Sequence, residues 1–148
     1  MKKCEIFEGI NSLPRIVKVM FDDLDVPSIV PRVNKTQEKV LVLIKYNENN
    51  NMGEISKLIG IEKGSFTTLT DNLIKKGLIK RKRSDKDRRK ISLVLTEKGN
   101  EVSNKIIEVM EEHLDRKLSM FSDVRKKDFF NALQTLSECA LIVERNIH

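Results

Sequence analysis

The 148-residue sequence has no tryptophan, one tyrosine, two cysteines and two histidines. Two cysteines cannot build a disulfide framework, and two histidines leave little for a metal cluster. No apolar run approaches the ~18 residues that a membrane-spanning helix needs. The opening Met1-Lys2-Lys3-Cys4-Glu5 has no apolar core of the secretion-signal kind. A cytoplasmic, reduced chain with free thiols and no membrane partner is therefore expected. No glycine-rich phosphate loop, paired-carboxylate cleft or Ser/Cys–His constellation stands out. Catalysis, a cofactor and a bound metal are accordingly not expected.

What is present is charge and helical periodicity. The chain is 39% hydrophobic and 34% charged, a globular composition, and its length suits one domain or one domain with helical extensions. Its net charge is +6. Residues 63–98 hold 12 Lys and Arg against 4 Asp and Glu, a net +8, whereas the rest, with 16 basic and 18 acidic residues, is −2. Positive charge gathered into one stretch is the footprint of a polyanion-binding face, with nucleic acid the first partner to consider.

Three apolar stripes have helical spacing. The first is Ile6, Ile10, Leu13, Val17, Met20 with Phe21, and Leu24. Pro14 lies inside it, so this helix either kinks or starts at a Ser12 cap with Pro14 in its first turn. Val102, Ile106, Val109, Met110, Leu114, Leu118 and Phe121 mark the second, with Thr96 placed to cap its start. Phe129, Leu133, Leu136, Ala140, Val143 and Ile147 mark the third. Spacing of this kind is what helix–helix seams use. Three amphipathic helices would cover a compact middle poorly, so pairing with a second copy is expected. Ile6, Ile10, Leu13, Val17, Leu118, Phe129, Leu133, Leu136, Ala140 and Val143 are the expected seam.

The middle of the chain reads as shorter elements. A helix from Thr36 carries Val40, Leu41, Leu43 and Ile44 and stops at the polar cluster 46–51. Met52 to Ile59 is a short helix ended by Gly60, and a further helix runs from about Gly64 to Lys76, ended by Gly77. Two short helices joined by a tight glycine turn read as helix-turn-helix. The second has Phe66, Leu69 and Leu73 inside and Ser65, Thr67, Thr68, Asn72, Lys75 and Lys76 on other faces. Short polar side chains permit close approach to base edges, and lysines reach phosphates. Residues 78–83 and 91–96 read as two strands of a wing. Its charged tip holds Lys86, Arg88, Arg89 and Lys90, with Asp85 and Asp87 among them. Arginines on a narrow ribbon suit a minor groove. The fold class is mainly α with a small β wing: a helical dimerisation segment at 1–34, a winged helix-turn-helix lobe at 35–99, and dimerisation helices at 100–148.

Asp85-Lys86-Asp87-Arg88-Arg89-Lys90 followed by Leu95-Thr96-Glu97-Lys98-Gly99 resembles the wing signature of the MarR family of winged-helix regulators. Asn72-Leu73-Ile74-Lys75-Lys76-Gly77-Leu78-Ile79 resembles that family's recognition-helix exit. Gln37 with Val40-Leu41 resembles its first core helix, and Glu54-Ile55 with Leu58-Ile59-Gly60 its positioning helix. The resemblance covers about 35–99. It implies a homodimer whose two lobes straddle a pseudo-palindromic double-stranded DNA operator, most often as a repressor. It also implies release by a phenolic or lipophilic effector, or by thiol oxidation.

The sequence departs from the family pattern at several places. Thr68 stands where the family often has arginine, and Gly64 where serine is frequent. A redox role would fall to Cys4, yet Tyr46 is the only tyrosine available as its partner. Cys139, beside the last apolar stripe, reads as a packed small hydrophobe. An effector pocket between the dimerisation helices and the lobe would draw on Met20, Phe21, Met52 and Met110. His113 has no His or Cys neighbour and does not suggest a metal site. The alternative is a winged-helix protein whose main partner is another protein or RNA. The +8 segment argues against the first. RNA recognition usually stacks bases on exposed aromatics, and Phe66 falls on the core stripe and Tyr46 in the turn cluster.

Overall fold

The structure, a computed structural model, describes residues 3–26, 32–47, 51–83 and 91–147, with the backbone alone at 3–6, 144, 145 and 147. In chain order the elements are α1 (Lys3–Phe21), α2 (Lys35–Tyr46), α3 (Met52–Ile59), α4 (Lys63–Lys75), β1 (Ile79–Arg83), β2 (Ile91–Leu95), α5 (Glu97–Lys117) and α6 (Asp123–Ile147). They form two compact units: a lobe, Asp23–Glu111, and a helical unit, Met1–Asp22 with Glu112–His148.

Local chemistry sets the lobe's helix ends. Asn34 caps α2 by accepting from the Gln37 amide at 2.9 Å, while the Asn34 amide donates to Gln37 Oε1 at 3.2 Å. Asn51 and Glu54 repeat this reciprocal box at the start of α3. Each box satisfies two amides that a helix start would otherwise leave unpaired. The α2 helix therefore starts at Lys35 rather than at the expected Thr36. Gly77, with φ of +71°, ends α4. Its amide reaches the Ile74 carbonyl at 2.9 Å and the Leu78 amide reaches Leu73 at 3.0 Å, while Leu73 and Leu78 are both buried. This is a Schellman closure, and the left-handed backbone at its centre suits glycine.

The wing strands pair antiparallel, Ile79 opposite Leu95 and Arg81 opposite Leu93, and Asn51 bridges to Ser92. Opposed residues share a face, so Ile79, Leu93 and Leu95 meet the lobe interior. The core joins Val40, Leu41, Ile44, Ile55, Phe66, Leu73, Leu78, Ile79 and Leu93 to Val102 and Ile106 of α5. The expected lobe edges at 35 and 99 sit inside this packing. Val26 and Val33 pack against it from one side, and α5 extends it to Met110 on the other.

The α5 helix starts against the end of α4. Thr96 Oγ1 donates to the carbonyls of Gly77 at 2.6 Å and Leu78 at 3.2 Å, and accepts from the Gly99 amide at 3.0 Å. The expected Thr96 cap is thus present and also clamps the base of the wing. Gly99 is buried, and a Cβ there would lie 1.9 Å from the Leu78 carbonyl oxygen.

In the helical unit, α1 runs unbroken through Pro14, so Ser12 does not start it; the Ser12 hydroxyl donates back to the Gly9 carbonyl at 2.7 Å. The buried His113 places Nε2 2.7 Å from the Met20 carbonyl oxygen in the last turn of α1. A carbonyl only accepts, so this nitrogen carries the proton and satisfies a carbonyl that helix geometry leaves unpaired. The Arg125 amide donates to Ser122 Oγ at 3.3 Å at the start of α6. Among the described residues no helix is long and apolar enough to cross a membrane.

The expected seam residues mostly face outward. Ile10 and Val17 are each 60% exposed, Leu13, Leu133, Leu136, Ala140 and Val143 are also exposed, and Phe129 is half-buried. Leu118 departs from the expectation: it is 1% exposed, closed over by its own chain where α5 ends, and offers nothing to a partner. The side chain of Ile6, like that of Cys4, lies outside the described residues. Cys139 is exposed rather than packed.

Candidate nucleic-acid interface

The α4 helix buries Phe66, Thr70 and Leu73 and exposes Gly64, Ser65, Thr67, Thr68, Asn72 and Lys75. At 100° per residue, Gly64, Thr68 and Lys75 lie along the centre of the exposed arc. Ser65 and Asn72 flank it on one side and Thr67 on the other. The buried Thr70 was not singled out in the sequence. Its hydroxyl donates to the Thr67 carbonyl at 2.9 Å, so the buried polar atom is satisfied within the helix.

The two exposed threonines also turn their hydroxyls back. Thr67 Oγ1 donates to the Lys63 carbonyl at 2.9 Å and Thr68 Oγ1 to Gly64 at 3.4 Å. The Ser65 hydroxyl and Asn72 amide make no hydrogen bond among the described residues, and both face solvent. No side chain caps the start of α4 at Glu62.

Lys76 departs from the expectation that it reaches outward. It is half-buried, and its ammonium donates to Gln37 Oε1 at 2.9 Å and to the Arg32 carbonyl. Turned under the helix, it ties the end of α4 to the start of α2. Lys63 and Lys75 remain exposed at the two ends of α4.

Arg81, on the inward face of β1, meets Asp71 of α4 at 2.6 Å and fixes wing against helix. Both side chains are over 40% exposed, so screening holds the pair to about 1 kcal/mol or less. Lys80, Lys82 and Arg83 are exposed on the same strand. Their sequence signal is the charge run itself; the strand register puts Lys80 and Lys82 on the face opposite Arg81 and Arg83. The expected wing-tip contacts Lys86, Arg88 and Arg89 lie outside the described residues.

Two cavities flank α4. A polar one of about 640 Å³ is lined by Asp25, Arg32, Lys35, Glu38, Asn72 and Lys76, among others. Burial pushes the Glu38 carboxyl above its ordinary value of 4.5; Lys35 opposes the shift and Asp25 adds to it. The second, about 390 Å³, is lined by Met52, Ser56, Lys63, Phe66, Thr67 and Ile91, among others. Of the expected effector residues, Met52 therefore lines a lobe cavity and Met110 packs against the lobe core. Met20 and Phe21 are half-buried in the helical unit. Among the described residues no group of three or more His, Cys, Asp or Glu is placed to hold a metal ion.

A family model described as "MarR family" matches residues 33–91. The chain is 32% identical over 96 residues to the transcriptional repressor MprA of Escherichia coli strain K12, across 64% of this chain and 54% of MprA. The chain thus spans about half the length of that curated relative. Its fold is similar to that of a MarR transcriptional regulator from Methanosarcina mazei Go1, with TM-score 0.69 and 25% identity over 95% of this chain and 99% of the other. It is also similar to the transcriptional repressor CouR bound to a 23-mer DNA duplex, with TM-score 0.65 and 27% identity over 93% and 98% of the two chains. The winged lobe, the family match across it and the likeness along nearly the whole chain agree: residues 33–91 form a winged lobe of the MarR family, in a chain whose fold is similar to that of MarR regulators.

Proposed function

We propose that the chain is a homodimeric, sequence-specific DNA-binding regulator of transcription, acting as a repressor. The observation that carries this reading is the exposed arc of α4. It presents small polar side chains between two lysines, within a segment that holds all the excess positive charge of the chain. Each lobe would seat α4 in a major groove, with Ser65, Thr67, Thr68, Asn72 and Lys75 as contacts. The wing, with Lys86, Arg88 and Arg89, would follow the adjacent minor groove. The names of MprA and CouR as repressors, and the DNA duplex bound to CouR, support the assignment.

The exposed apolar side chains of α1 and α6 support pairing with a second copy, since uncovered apolar faces mark interfaces. Two-fold symmetry then asks for half-sites about one helical turn apart. Sedimentation equilibrium should give twice 17.1 kDa; a monomer at micromolar concentration would remove the dimer. Effector release is part of the proposal, on the family resemblance. Titrating lipophilic and phenolic acids against the DNA complex tests it, and retention of DNA throughout would count against it.

The deciding measurement is binding to the duplex upstream of the protein's own gene against a scrambled duplex, across a salt series. Neutralising about 6–10 phosphates predicts an affinity loss of about 10³–10⁵ between 50 and 200 mM salt, with the natural duplex preferred. Absence of binding to either duplex would refute the reading.

A further inference from the structure

We propose that the middle of α4 reads A·T pairs: thymine through the γ-methyls of Thr67 and Thr68, and adenine through the amide of Asn72. This rests on the DNA-binding reading above and adds to it the chemical class of the half-site.

Three observations on the helix carry it. The Thr67 and Thr68 hydroxyl protons are directed into the helix, to the Lys63 and Gly64 carbonyls. An approaching base therefore meets the γ-methyl of each exposed side chain and an oxygen that can only accept. The thymine C5-methyl is the apolar feature of the major groove that suits such a surface. Asn72 is exposed, and its amide makes no hydrogen bond among the described residues. An asparagine amide offers a donor and an acceptor at the spacing of adenine N7 and N6.

Guanine is read most often by arginine or lysine forked onto O6 and N7. The exposed positions between Gly64 and Lys75 carry neither residue type. Arg81, the wing-strand arginine beside α4, is occupied by Asp71. Lys76, the remaining cation near the helix end, is turned inward to Gln37. The cations left on α4 are at its two ends, where backbone phosphates lie.

The test is selection of tight-binding sequences from a random duplex pool by the full-length protein, followed by thymine-to-uracil replacement in the selected duplex. Uracil lacks only the C5-methyl. The expected result is A·T pairs at the central positions of each half-site, with about 4-fold weaker binding for each critical thymine replaced. That factor is the equivalent of about 0.8 kcal/mol for one buried methyl group. Thr67→Ser or Thr68→Ser, which keeps the hydroxyl and removes the methyl, should erase that difference, and Thr68→Val should keep it. Asn72→Ala should lose about 5- to 150-fold of the preference for adenine at one position. Selection of G·C pairs at the central positions overturns the proposal. So does a duplex indifferent to uracil, or a uracil penalty unchanged in both serine variants. Failure to enrich any sequence, with no binding to the pool, overturns the DNA-binding reading itself and this inference with it.

Discussion

Replacing Gly99 with alanine sets two effects of opposite sign against each other. Alanine is the better helix former by up to about 1 kcal/mol, so helix propensity alone predicts a gain. The steric effect runs the other way. A Cβ at residue 99 would lie 1.9 Å from the Leu78 carbonyl oxygen and 2.9 Å from its carbon. Carbon–oxygen contacts settle near about 3.3 Å, so two backbone segments must part by more than about 1 Å. Neither can yield by rotating a side chain. Parting them also strains the Thr96 hydroxyl bonds to Gly77 and Leu78. Overpacking with a backbone shift costs about 1–3 kcal/mol, and each weakened bond about 0.5–1.5 kcal/mol. The net loss should be about 2–3 kcal/mol. Urea denaturation at fixed protein concentration should show the midpoint falling by roughly 1 M with an unchanged slope. Gly64→Ala is the control: nothing lies within 4 Å of a Cβ there, so propensity acts alone and stability should hold or rise. A Gly99→Ala midpoint equal to or above the parent would refute the reasoning, as would matched losses in both variants.

Four other outcomes follow from side chains described above. Lys76→Met should cost about 1 kcal/mol of stability by releasing Gln37 and Arg32, and leave the salt slope of DNA binding unchanged. Lys75→Ala removes one phosphate contact from each protomer, so it should lower that slope by about 1.8 for the dimer and leave stability unchanged; the reverse pattern would mean the two lysines have been assigned the wrong way round. His113→Phe should cost about 1–3 kcal/mol by stranding the Met20 carbonyl, and His113→Gln, which can still donate, should cost less. Equal melting of the two variants would rule out the hydrogen bond as the cause. Glu38 binds its proton more tightly folded than unfolded, because burial disfavours the carboxylate. Its contribution is therefore present below pH 4.5 and lost as pH rises through the folded value. Glu38→Gln should stabilise the protein at pH 7 and give no gain below about pH 4; a gain confined to low pH would show the sign to be wrong.

The elements that periodicity announces are those the structure contains. The α3 bounds, the exposed arc of α4 and the two wing strands all follow from apolar spacing and glycine stops. Cap chemistry is legible in the sequence too: Asn34 with Gln37 and Asn51 with Glu54 have the three-residue spacing of a reciprocal cap. Other details depend on contacts between distant residues. Lys76 and Lys75 look alike in sequence; one is internal because Gln37 waits 39 residues away. Leu118 has the spacing of a seam residue, and nothing local says that its own chain closes over it. Pro14 is harder to read locally, since a proline inside an apolar stripe suits either a first turn or a tolerated interruption. Thr70 passes for one more polar residue until its hydroxyl is seen to bond within the helix.

The Thr96 clamp bears on how the wing can vary between relatives. One hydroxyl joins the exit of α4, the end of β2 and the start of α5, residues 77, 78, 96 and 99, so the hairpin is closed at its base independently of its tip. Relatives that keep this closure must change the four clamp residues together, because a substitution at any one of them disturbs the helix exit, the strand end and the helix start at once.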